Sequence, residues 1–154
     1  MGEKKSDVSW SMIEIHRSAL VLVQAKQLYH LINDIEAYPQ FLDGIASASV
    51  IDRSETQMLG QLVISKAGFE RTIVTRNTLQ APTLIEMNLE QGPLEYLNGI
   101  WQIKPLDEQG CRVSLDLRFS AMKGLKGMAF NHLFKQVADG MVDSFVSKAH
   151  ELYS

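Results

Sequence analysis

The chain has 154 residues, of which 45% are hydrophobic and 21% charged, and a formal net charge of −3. That length suits one domain able to bury a core without staples, and that composition excludes a disordered chain. The near balance of charge excludes a global field that gathers nucleic acid, so DNA is not an expected partner.

Residues 1–11 are mostly polar and predict a flexible tail ahead of one domain at 12–154. Met1–Asp7 has no apolar stretch after its lysines, so it is not a secretory signal. Met1-Gly2-Glu3-Lys4-Lys5-Ser6 fits the loose myristoylation pattern, but no second anchoring signal accompanies it. No apolar run is long enough to cross a bilayer. The single cysteine, Cys111, offers neither an internal disulfide nor a metal cluster. A reducing, cytoplasmic location is expected, with contact at the inner face of a membrane as the furthest departure.

From Met12 the pattern is that of a strand, with Ile13, Ile15, Ala19 and Val21 alternating with Glu14, His16 and Ser18. Leu28, Leu31, Ile32 and Ile35 then form one apolar stripe of a short helix. Gln24 and Ala25 are poor capping residues for it. Pro39 predicts that this helix stops before Tyr38, with Tyr38–Leu42 a second short helix or turn. Asp43-Gly44 marks a turn. Six strands follow, at about 46–56, 59–68, 70–80, 83–91, 97–105 and 110–120. Ser54-Glu55-Thr56, Ala67-Gly68, Ala81-Pro82, Gly92-Pro93 and Asp107–Gly110 separate them.

After Gly124 the period changes again. Leu125, Met128, Ala129, Leu133, Phe134, Val137, Met141, Val142, Phe145, Val146 and Leu152 predict a long helix with a wide apolar face, roughly 45 Å from end to end. Gly127 and Gly140 lower its intrinsic helicity, so tertiary packing must hold it. The order β-α-α-β6-α, with short turns between the strands, predicts an α+β fold. In it a curved antiparallel seven-stranded sheet wraps the C-terminal helix. Gly60, Gly99 and Gly92-Pro93 are the expected kink or bulge positions.

Such a sheet and a single helix need not close on each other everywhere. Met87, Leu89, Trp101, Ile103, Val113, Leu115, Leu117 and Phe119 are the inward candidates of the sheet. Phe134, Val137, Met141 and Phe145 oppose them from the helix. An apolar, methionine-bearing lining suits a lipophilic guest; ordinary core packing accounts for the same residues. Tyr38, Phe41 and Leu42 would form the mouth, with tyrosine hydroxyls at its rim.

Catalytic chemistry is poorly represented. His16, His30, His132 and His150 lack metal-ligand spacing, and no nucleophile elbow or phosphate loop occurs. No inward position carries an obvious acid or base, so neither an enzyme nor a required cofactor is expected. Lys66, Arg71, Arg76, Arg112 and Arg118 could gather into a surface patch that meets RNA phosphates. Interspersed acidic residues make an ordinary mixed surface the simpler alternative.

Ala19-Leu20-Val21 and Leu28–Leu42, with its Tyr38-Pro39-Gln40-Phe41-Leu42 segment, resemble the oligoketide cyclase/lipid transport family of the START-like, helix-grip (Bet v 1-like) superfamily. Ser65–Gly68, Thr75-Arg76-Asn77, Gly92-Pro93-Leu94, Leu97–Leu106, Phe130–Phe134, Met141, Val142 and Phe145 continue the resemblance over about residues 13–153. Within the family the chain is most similar to the coenzyme Q-binding proteins and the ribosome association toxins. It departs from the pattern at Leu22, Gln24 and Asp43-Gly44-Ile45. The resemblance implies a helix-grip fold and an interior tunnel for a hydrophobic molecule, with ubiquinone or a related isoprenoid lipid the expected ligand in support of respiration. The alternative it implies is a toxin that binds the large (50S) ribosomal subunit and blocks subunit association.

Overall fold

Period-two alternation and helical spacing appear as elements in the expected order. The computed structural model describes residues 12–120 and 124–153; the predicted tail at 1–11 lies outside the described residues. Strand β1 spans Met12–Val21, helix α1 Ala25–Asn33 and a 3-10 segment Ile35–Gln40. Strands β2 to β7 span Ile45–Arg53, Gln57–Lys66, Phe69–Gln80, Leu84–Gln91, Leu97–Asp107 and Gly110–Ser120. Helix α2 spans Gly124–Tyr153. The strands form one antiparallel sheet in the order β1-β7-β6-β5-β4-β3-β2. β2 to β7 are therefore a plain meander, and β1 closes the sheet by pairing with β7.

Strand β7 shows why the sheet has one dry face. Cys111, Val113, Leu115, Leu117 and Phe119 are buried while Arg112 and Arg118 are exposed, the pattern of an antiparallel strand wetted on one side. Helix α2 lies on the dry face. Its buried residues include Phe130, Phe134, Val137, Ala138, Val142, Phe145 and Ala149.

Several local expectations change. The cap of α1 is better than Gln24 and Ala25 suggest, because the Gln27 side chain accepts the Gln24 backbone N–H at 3.2 Å, half of a capping box. Pro39 does not break helical geometry but sits inside the 3-10 segment. Ile35 belongs to that segment too, one element later than its stripe predicts. The register shifts fall at Ala46 and Ile51 in β2, Glu90 in β5 and Leu106 in β6. They do not fall at Gly60, Gly99 or Gly92-Pro93. Gly60 instead gives room to a neighbour: a Cβ there would stand 2.7 Å from Ile35 Cδ1. Leu125, Met128 and Leu152 are exposed rather than buried. Gly127 and Phe130 are the buried residues of the first turns, and with about 3.6 residues per turn Leu125 and Met128 fall on the opposite, outer face of the helix.

Tyr38 is also not at a rim. It is buried, and its hydroxyl donates to the Ile32 carbonyl. Burial pushes its phenol well above the ordinary value, and the Asp34 carboxylate adds to the shift. An unfolded tyrosine ionises near pH 10 (about). Unfolding therefore releases a proton above that pH, so the contribution of Tyr38 is full below about pH 10 and is lost as pH rises further. Urea midpoints measured from about pH 8 to pH 11.5 should fall above about pH 10, and less steeply in Tyr38→Phe. Equal slopes would show that another group is responsible.

Gly44 has φ +90°, and a Cβ there would lie 2.6 Å from Val137 Cγ2. Val137 is branched and stiff, so it cannot swing aside freely. Gly44→Ala should cost about 2–4 kcal/mol, from left-handed strain plus overpacking. Chemical denaturation reads this directly, and a loss below about 0.5 kcal/mol would show that the turn relaxes without strain.

Candidate functional site: an interior cavity

Along the inner face of α2 the side chains run large, small, large. Phe130 and Phe134 stack at 5.8 Å, and Phe134 meets Phe119 of β7 edge-on at 4.7 Å. Three turns on, Phe145 meets Tyr38, Phe41 and Trp101 edge-on at 5.3, 5.5 and 5.4 Å. Val137, Ala138 and Met141 lie between these aromatic groups and cannot span the gap to the sheet.

A cavity of about 70 Å³ remains there. From α2 it is lined by Phe134, Val137, Ala138 and Met141. The sheet contributes Ile45, Leu62, Ile64, Ile73, Thr75 and Met87 from β2 to β5, and Leu97, Trp101, Leu115 and Leu117 from β6 and β7. Gly99 keeps the floor low: a Cβ there would stand 2.6 Å from Met87 Cε and 3.0 Å from Leu117 Cδ1. The volume is about half of the roughly 150 Å³ that admits benzene in an engineered apolar cavity. A guest must therefore displace side chains, and Met87 and Met141 are the adaptable ones.

A second hollow of about 80 Å³ opens between α2 and the segment after the 3-10 turn. Leu42, Asp43, Lys66, Gln136, Gly140 and Ser144 line it together with Val137 and Met141. The last two also line the first cavity, so the two hollows adjoin at these side chains. Lys66 pairs with Asp43 on its rim.

The interior is not wholly apolar. On β4, Ile73, Thr75, Asn77 and Leu79 share the concave face by strand alternation. Thr75 Oγ1 donates to Asn77 Oδ1 at 2.9 Å, and Asn77 is only 5% exposed. Sequence reasoning passed over both residues as inward groups, although the alternation of β4 marks them. Among the described residues no carboxylate, imidazole, ammonium or guanidinium group is buried, and none of the His, Cys, Asp and Glu residues cluster as a metal site. Burial raises the Cys111 thiol and the Tyr29 phenol above their ordinary values.

Seven predicted tunnel residues line the cavity: Met87, Trp101, Leu115, Leu117, Phe134, Val137 and Met141. Tyr38, Phe41 and Phe145 form the aromatic wall beyond it, and Phe119 belongs to the opposite wall. Leu42 lines the outer hollow. Ile103 and Val113 pair across β6 and β7 in the solid core, away from the lining. Leu89 packs against the core near Gly92, also outside the lining.

The predicted cations do not gather. β7 and β4 are separated by β6 and β5, which puts Arg112 and Arg118 about 14 Å or more from Arg76. Lys66, Arg76 and Arg118 are ion-paired to Asp43, Glu90 and Glu14. Arg71 lines a hollow of about 280 Å³ with Gln61, Thr72, Val74 and Gln91–Pro93, and donates to the Glu70 carbonyl at 2.8 Å. That hollow is larger than the interior one, but Gln61, Thr72 and Val74 face the side opposite the helix. It is a groove on the outer surface. Arg112 sits directly opposite Lys104 across β6 and β7. Among the described residues neither makes an ion pair.

Comparison with known proteins agrees with this architecture. The family model described as polyketide cyclase / dehydrase and lipid transport matches residues 21–146. The ribosome association toxin RatA of Escherichia coli is 40% identical over 143 residues, covering 93% of this chain and 90% of that protein. RatA of Pseudomonas aeruginosa is 40% identical over 139 residues, covering 90% and 96%. The solved structure of a START superfamily protein from Mycobacterium smegmatis aligns with a TM-score of 0.75 at 19% identity, covering 90% of this chain and 98% of that one. The seven-stranded sheet around a long C-terminal helix is thus the START, or helix-grip, fold, and the chain belongs to the polyketide cyclase / dehydrase and lipid transport family, with RatA proteins among its relatives.

Proposed function

We propose that this chain is a ribosome association toxin: a non-catalytic protein that binds the large ribosomal subunit in the cytoplasm and blocks subunit joining. The observation that carries the proposal is its 40% identity, over 93% of its length, with a protein of that name. The outer surface supplies a physical basis. Lys104 and Arg112 face each other as a like-charge pair across two strands. Such a pair destabilises a sheet unless an anion sits over it, and an RNA phosphate is the anion a ribosome offers. The scatter of the remaining cations and the ion pairs holding three of them make this pair the favoured contact. No helix among the described residues is long and apolar enough to cross a membrane.

Cosedimentation with purified large subunits tests the proposal. The protein should travel with them, lower the yield of joined ribosomes, and lose binding as salt rises. Lys104→Glu with Arg112→Glu should weaken binding by about tenfold or more, since two phosphate contacts reverse sign. Protein left at the top of the gradient at low salt would overturn the proposal.

A second reading rests on the interior. The cavity, its adaptable methionines and the hollow that shares a wall with it support the binding of an apolar small molecule, a quinone or isoprenoid lipid being the expected class. Interior and exterior roles use different surfaces and are compatible. In a Trp10→Phe variant, titration with a short-chain ubiquinone analogue should quench Trp101 emission saturably at one molecule per chain. Linear, non-saturating quenching would overturn this second reading.

A further inference from the structure

We infer that Thr75 and Asn77 form a polar anchor for one oxygen atom of the interior guest, which makes the preferred ligand class an apolar molecule that presents a hydroxyl or carbonyl oxygen to this pair. The inference rests on the reading of the cavity as a ligand site. Among the described residues lining the cavity, Thr75 alone brings a hydroxyl. Every other lining side chain is a hydrocarbon or a thioether, apart from the indole of Trp101. Thr75 does not stand alone. Its hydroxyl is engaged by Asn77, which lies behind it on the same strand face, opposite Met58 and Met87 of the flanking strands.

The chemistry of the pair sets what it recognises. With the Thr75 hydroxyl donating to Asn77 Oδ1, the threonine oxygen keeps lone pairs that accept from a ligand hydroxyl. If the Asn77 amide turns over, its NH₂ donates to the threonine oxygen, and the threonine hydrogen is released toward a ligand carbonyl. One pair therefore serves both oxidation levels of an oxygen substituent. A purely structural pair would have no preference among guests. In an apolar cavity an unmatched polar group is costly to leave unpaired, so a guest with an oxygen in the right place gains over its hydrocarbon isostere.

Two isosteric pairs of small probes test this: phenol against toluene, and benzaldehyde against styrene. Chemical shifts of the cavity-lining methyl groups report binding at the site itself. Wild type should prefer each oxygen-bearing probe by about 3- to 10-fold. Thr75→Val should bring each pair to near equality, and Thr75→Ser, which keeps the hydroxyl, should restore the preference. Thermal melts establish that both variants are folded. If wild type binds all four probes equally, or Thr75→Val keeps the preference, the anchor is overturned while the cavity still stands as a ligand site. If no probe shifts the lining methyls in wild type, the anchor and the interior-ligand reading fall together.

Discussion

The C-terminal helix, with Leu28, Ile32, Ile35 and Tyr38 of the two short segments beside it, has to fill the concave side of a seven-stranded sheet, and the interior space follows from how incompletely it does so. The helix has one inward face, and a given position on it accepts one side chain. Where that side chain is phenylalanine it reaches an aromatic partner: Phe134 meets Phe119 of the sheet at one end, and Phe145 meets Trp101 of the sheet and Tyr38 of the 3-10 segment at the other. Edge-on aromatic pairs of this kind add about 0.5–1.5 kcal/mol each beyond their burial. Where the side chains are Val137 and Ala138, the sheet lies too far away and space remains. Two clamps and a gap between them give a stable protein with a hollow middle. Replacing the gap by tight packing would remove the volume that Thr75, Met87 and Met141 line.

The same arrangement separates two kinds of surface. The concave face holds apolar groups, two adaptable methionines and the Thr75–Asn77 pair. The convex face carries charges such as Arg76–Glu90 and Arg118–Glu14, which pair across neighbouring strands, and Lys104 and Arg112, which do not. Exposed ion pairs such as Arg76–Glu90 are worth about 0–1 kcal/mol, so they tune solubility and contact rather than the fold. A large partner can read the outside while a small molecule occupies the inside. Met141 and Val137 are the side chains where these two worlds touch, since they face both the cavity and the outer hollow beside Lys66 and Asp43.

Much of this was legible in the residues. The alternation of Cys111 to Phe119 defined β7 within a residue, and the turn at Ala67-Gly68 carries the positive φ angles that a two-residue hairpin demands. The bulges were not legible, because each is a property of the pairing between two strands, and no residue type is needed at Ala46 or Leu106 to make one. The glycines misled for the same reason. Gly60 and Gly99 are small because Ile35 and Met87 press on them from elsewhere in the chain, and that pressure is invisible in a local window. Tyr38 misled in the opposite sense: a tyrosine beside a proline reads as a rim residue until the Ile32 carbonyl is found within its reach.

The residues alone therefore set the elements, their order and the faces they bury. Those depend on spacing along the chain, and spacing is local. Only the tertiary structure decided which inward residues enclose a void, which merely pack, and which polar group looks into the hollow. Ile103 and Trp101 stand two residues apart on the same strand face, yet only Trp101 borders the cavity. The difference lies in what the rest of the fold sets opposite each of them, and a distance between two elements is a property of their packing rather than of either sequence.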